Sequence, residues 1–199
     1  MREIIINEIM IPSLQKLYKV DYDNIRLDVS ERNICARLAH HMENRMRRYD
    51  RDNERKLFRK YYADVEYNRM GNGDIKQYEN SKHLPKKMVS DLLIQSRGEE
   101  PNFLAVEMKK KKNELNRDED RQRLKALVSP VPVNRKLPCV YGTLVGAFII
   151  FSSEDVVIEL YWNDEGKGKK TGEITLQYDK EVGLRKKSGR KKRRECVST

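Results

Sequence analysis

Two short apolar runs, Asp91–Ile94 and Asn102–Lys109, constrain this chain more than any other feature, because each carries acids where a buried strand should exclude them. Between them lies Ser96-Arg97-Gly98-Glu99-Glu100-Pro101, a turn-rich segment of the kind that closes a hairpin. With Glu99 at the centre of the turn, Asp91 and Glu107 are equidistant from it and face each other across an antiparallel pair. Directly opposed residues have Cβ atoms roughly 4.5–5.5 Å apart, and like charges held that close destabilise a sheet unless something neutralises them. Lys109 lies two residues past Glu107 and projects from the same face.

Two carboxylates and an ammonium at the end of an apolar strand suit divalent-metal hydrolytic chemistry. Mg²⁺ takes oxygen ligands and needs only one or two carboxylates beside a phosphate. It polarises a phosphoryl oxygen and lowers the pKa of a bound water, and a neighbouring lysine orients that water or stabilises the growing charge. A plainer reading stays open at this point. Glu107 and Lys109 can be a surface pair at a strand end with Asp91 on the other face, and one residue of register slip separates the two acids.

Asp91 followed by Glu107-Met108-Lys109 at the end of the next apolar strand resembles the PD-(D/E)xK nuclease superfamily, also called restriction-endonuclease-like. Val65-Glu66-Tyr67-Asn68-Arg69, Ser96-Arg97-Gly98 and Arg123-Leu124 are similar to small single-domain members. Ser90 departs from the pattern at the position where the superfamily's variable proline would stand. The resemblance implies an α/β fold with an αβββαβ core over most of residues 30–151, a mixed central sheet flanked by helices. It implies Mg²⁺, replaceable by Mn²⁺, held by Asp91, Glu107 and the Met108 carbonyl, with Lys109 assisting. Members often add an acid from the first core helix, and Glu31 fits that place; as a first-turn acid it also suits the helix dipole. The implied activity is hydrolysis of phosphodiester bonds in nucleic acid, DNA first, by a chain able to act as a homodimer. A non-catalytic nucleic-acid-binding or regulatory module on the same scaffold is the alternative, and a structural or partner-binding protein a third.

The rest of the chain reads consistently with one domain. Residues 2–18 suggest a short helix broken by Pro12, part of an N-terminal helical extension over residues 1–29. Ser30 offers an N-cap to a long helix whose Ile34, Leu38, Met42 and Met46 form one apolar stripe, with Arg45, Arg47, Arg48, Arg51 and Arg55 on its charged side and far end. Those arginines read as a solvated face or as phosphate contacts. Tyr61–Asn68 reads as a strand and Gly71–Lys87 as a long loop leading to Asp91, placed to cover a site there. A helix over about 117–128, with Gln122 a candidate to line the site, and a strand over Val140–Phe151 imply a parallel crossover. Val156–Trp162 and Glu173–Tyr178 read as a terminal hairpin, completing a core over residues 30–180.

The formal charge is +11, but Arg185 onward carries eight Lys/Arg and one Glu, so residues 181–199 read as a disordered basic tail and the body is only mildly basic. Cys35, Cys139 and Cys196 form no CxxC pair, which argues against a disulfide framework or zinc knuckle and for a reducing, cytoplasmic setting. No run approaches the ~18 apolar residues of a membrane span, and the start lacks a secretory apolar region. His40, His41 and His83 share no ligand spacing, and Tyr61, Tyr62 and Tyr67 read as sheet packing.

Overall fold

Alternation of apolar residues through the central strands sorts their side chains onto two faces, and each face is covered by a different set of helices. The computed structural model describes residues 1–68, 77–79, 85–87, 89–97, 100–130 and 142–186. It is an α/β protein with a seven-stranded mixed sheet. On one face lie a π-helical segment, Ile4–Met10, and helices α1 (Ile11–Val20), α2 (Tyr22–Arg26) and α3 (Glu31–Asp52); on the other lies α4 (Arg117–Val128). The strands are β1 (Tyr62–Val65), β4 (Leu92–Gln95), β5 (Leu104–Lys110), β6 (Val145–Phe151), β7 (Asp155–Asp164), β8 (Lys167–Asp179) and β9 (Gly183–Lys186), adjacent in that order. Strands β2 (Gln77–Glu79) and β3 (Pro85–Lys87) pair separately. Among the described residues the order α3, β1, β4, β5, α4, β6 is interrupted by that small pair alone.

Helix α3 starts where expected: the Ser30 hydroxyl accepts from the Asn33 amide at 3.3 Å. Ile34, Leu38, Met42 and Met46 are fully buried against the even-numbered residues of β4 and β5, among them Leu92, Val106 and Met108. Ile5, Ile9, Leu14 and Leu17 join the same core. Pro12 does not break the N-terminal helix. It lies within one continuous helix, where the preceding turns are widened so that the Ile11 amide bonds the Ile6 carbonyl, and the Glu8 carbonyl one turn before Pro12 accepts from Arg45 Nε at 2.6 Å.

β5 and β6 run parallel with α4 as the crossover, while β6–β7 and β7–β8 are antiparallel, so the crossover and the C-terminal hairpin match the sequence reading. Two expectations are corrected. Gly71–Lys87 is not simply a loop, since it contributes β2 and β3, and β2 abuts α4. Residues 183–186 are a strand pairing with β8, because Leu184 buries against the core and supplies the anchor that the charge pattern concealed. The remainder of the basic tail, with Cys139, Cys196, His83 and the turn centre Gly98-Glu99, lies outside the described residues.

Helix α4 is drawn onto the sheet by charge as well as by Leu124, Leu127 and Val128. The Arg121 guanidinium lies 5.0 Å over the Phe148 ring and forks onto Glu159 at 2.9 and 3.0 Å, while the Tyr161 hydroxyl donates to the same carboxylate at 2.6 Å. Beyond the helix, Gly168 passes so close that a Cβ there would stand 2.0 Å from the Lys125 carbonyl oxygen. Burial alone would raise the Glu159 pKa, but the Arg121 and Tyr161 hydrogen bonds override it and hold the carboxyl down at about 2. A depressed native pKa stabilises above the ordinary value of 4.5, and the gain is lost as pH falls through about 2. Glu159→Gln should therefore cost about 1–3 kcal/mol near neutrality. In urea unfolding the gap to wild type should close between pH 4.5 and 2; a gap constant with pH contradicts this account.

Candidate active site

The pairing of β4 with β5 is antiparallel, with Leu92 opposite Val106 and Ile94 opposite Leu104. One residue further along the same register, Asp91 stands opposite Glu107. Leu93 and Ala105 face α4, so Asp91, Glu107 and Lys109 share that face by strand alternation. The Asp91 side chain reaches across to β5 and accepts from the Met108 amide at 2.7 Å. Its main-chain oxygen accepts from the Cys35 thiol at 3.2 Å and the Glu66 amide at 3.1 Å, tying this corner to α3.

Glu107 is 1% exposed and is held by both arms of Arg123, at 3.0 Å each. Arg123 also bonds Asp120, another buried acid, whose Oδ2 lies 3.5 Å from Lys109 Nζ. On the opposite side of Lys109, Glu31 Oε2 is 3.9 Å away. Glu31 Oε1 accepts from the Lys110 amide at 2.8 Å and from Asn113 at 2.9 Å, so the start of α3 is pinned to the end of β5. The structure thus brings together all four sequence-predicted residues, Glu31, Asp91, Glu107 and Lys109, and adds Asp120 and Arg123.

Those two additions were legible as a pattern that leucine spacing alone overlooks. Asp120, Arg123, Leu124 and Leu127 follow i, i+3, i+4, i+7 and so occupy one stripe, the stripe that α4 buries. Gln122 is off that stripe and exposed, so it does not line the site. Of the other polar candidates, His41 pairs with Asp21 at 2.6 Å and His40 with Asn44 at 2.9 Å, both away from the carboxylates. Tyr61 stacks on Phe103 at 3.8 Å between ring centres, while Tyr62 is exposed beneath Arg97. Several helix arginines have structural partners: Arg45 binds Glu8, and Arg47 binds the Phe58 and Tyr61 carbonyls.

Electrostatically the site holds too much negative charge. Among the described residues Glu31, Asp91, Glu107 and Asp120 face Lys109 and Arg123, a formal excess of two when all are ionised. Burial raises the Glu107 pKa to about 8, reinforced by Asp91 and Asp120 and only partly offset by Arg123. Burial also raises that of Asp91, with Asp120 adding to it against the Met108 amide and Lys109. Among the described residues no three acids, histidines or cysteines are arranged to hold an ion together. Arg123 and the Met108 amide already occupy Glu107 and Asp91. The donor chemistry nevertheless fits a hard dication: every candidate ligand is oxygen, the charge excess matches, and Asp120 Oδ2 is buried with no hydrogen-bond partner among the described residues, Lys109 Nζ standing 3.5 Å away.

Comparison of the chain with protein-family models, with curated proteins and with solved structures gives no match. No helix among the described residues is long and apolar enough to cross a membrane.

Because Glu107 is 1% exposed, removing Arg123 leaves its buried carboxyl without the fork that holds it. Arg123→Met should destabilise by about 3–5 kcal/mol, and adding Glu107→Gln should recover most of that loss. Urea unfolding of the two singles and the double checks it; an Arg123→Met protein as stable as wild type contradicts it.

Proposed function

We propose that the protein is a divalent-metal-dependent hydrolase of phosphodiester bonds in nucleic acid, DNA being the first substrate to test. The observation that carries this reading is the buried excess of carboxylate charge beside Lys109 at the end of β5. The resemblance to the PD-(D/E)xK nucleases supports it, as does the element order helix, three antiparallel strands, helix, parallel strand.

In this reading Asp91, Glu107 and the Met108 carbonyl hold Mg²⁺, which when bound supplies Lewis-acid polarisation and an acidified water. The protein's own residues do the rest. Lys109, braced between Glu31 and Asp120, presents its ammonium to the phosphate and stabilises the charge that builds there. Asp120 keeps Arg123 and Lys109 in register with the strand. Glu31 fixes the main chain of Lys110 and so the direction in which Lys109 leaves the sheet. Leu93 and Leu124 wall the inner side and keep the polar cluster at the sheet's end.

One observation favours the second reading, a nucleic-acid-binding module without catalysis. Arg123 binds both oxygens of Glu107, the position that a cation must share. Under hydrolysis, Mg²⁺ or Mn²⁺ raises the melting temperature, and EDTA stops cleavage of linear, circular and single-stranded DNA. Glu107→Ala and Lys109→Ala should each lower the rate about 10²–10³-fold with the fold retained by circular dichroism. Cleavage by both variants at the wild-type rate excludes the hydrolase, and salt-sensitive DNA binding without cleavage establishes the module instead.

A further inference from the structure

Beside the carboxylate cluster, at the end of β5 and β6, lies an open cleft of about 540 Å³. Arg26, Lys110, Lys111 and Lys112 line it with Phe151, Ser152 and Ser153, against only two acids, Asp28 and Glu154. One residue walls both places. The Lys110 amide donates to Glu31 in the cluster, while its ammonium turns into the cleft and binds the Asp28 carboxylate at 2.8 Å. The Lys111 amide bonds the Phe151 carbonyl at 2.7 Å, closing the floor between the strands.

The two neighbours carry opposite charge: the cluster has a formal excess of two negatives and the cleft lining two positives. A phosphodiester approaching the cluster is repelled by its carboxylates and needs cations alongside. Lys111 and Lys112, each paired with an acid but with its own side chain more than half exposed, are placed to supply them. Lys112 holds Asp28 in a pair whose side chains are 69% and 50% exposed, while Lys111, itself 55% exposed, reaches back to a more buried Asp155 at 2.8 Å. An exposed pair such as Lys112–Asp28 contributes about 0–1 kcal/mol, so that ammonium can turn to a phosphate at little cost. Arg26 uses only its Nε, on Asp23, and its other donors have no partner among the described residues. Lysine is a compact point charge suited to phosphate, and hydroxyls beside it suit the same oxygens.

We propose that this cleft binds the phosphate backbone of the nucleic acid whose phosphodiester lies at the carboxylate cluster. The inference rests on the nucleic-acid reading above and extends it, since it holds with or without catalysis. Its test is the salt dependence of binding to a fluorescein-labelled single-stranded oligonucleotide, followed by anisotropy on the whole chain. The variant is Arg26→Gln/Lys111→Gln/Lys112→Gln, none of which belongs to the cluster. The control is Lys16→Gln/Lys19→Gln/Lys180→Gln, which removes equal charge from a basin between α1 and β9.

Loss of three phosphate contacts should make the slope of log affinity against log salt shallower by about 2 and weaken binding on the order of tenfold at low salt. The control should keep the wild-type slope. A cleft variant with the wild-type slope, or a control that weakens binding equally, overturns this proposal alone, leaving nucleic-acid binding elsewhere on the protein. A wild type that binds no oligonucleotide overturns it together with the reading beneath it.

Discussion

The register of β4 against β5 is the constraint on which the rest of this structure depends. With Leu92 opposite Val106, the even positions of both strands bury against α3 and the odd positions meet α4. A slip of one residue would drive Glu107 among Leu38, Met42 and Met46 and expose Val106 and Met108 to the polar side. The hydrophobic core therefore enforces the approach of Asp91 to Glu107, although that approach is electrostatically unfavourable. Burial of the α3 stripe is what opposes the repulsion, and Arg123 relieves part of it.

The same arginines connect fold to site. Glu107, Phe148 and Glu159 are lateral neighbours across β5, β6 and β7 on the α4 face. Arg123 answers the first, and Arg121 spans the other two. Helix α4 is thus docked by two buried forks as well as by leucines, and its position is coupled to the charge state of the cluster. On the proposed function a dication would compete with Arg123 for the same excess of carboxylate. Which of the two prevails separates a hydrolase from a binding module on an otherwise identical scaffold.

Much of this was legible in the residues because it follows from periodicity. The symmetry of Asp91 and Glu107 about one turn set the register, and spacing placed α3, α4 and the parallel crossover. Leucine spacing alone does not mark Asp120 and Arg123 as site residues, although they lie on the same buried helix stripe. Gln122, two residues from Leu124, falls nearly on the opposite side of the helix and is exposed. β9 was hidden because Arg185 and Lys186 share a strand with one anchoring residue, Leu184, and charge dominated the reading. Pro12 reads as a helix breaker because the wider turn ahead of it is a tertiary accommodation with no local signal. The β2–β3 pair joins segments too short and polar for alternation to distinguish from a loop.

What the cluster does depends on its charge being unbalanced and dry. The most direct measurement is a ¹³C NMR titration of the Glu107 side-chain carboxyl in labelled protein, assigned by the signal lost in Glu107→Gln. Burial beside Asp91 and Asp120 predicts a midpoint near 8. A midpoint at or below the ordinary glutamate value of 4.5 would show that Arg123 neutralises the site completely, and would contradict the charge excess from which its function is inferred.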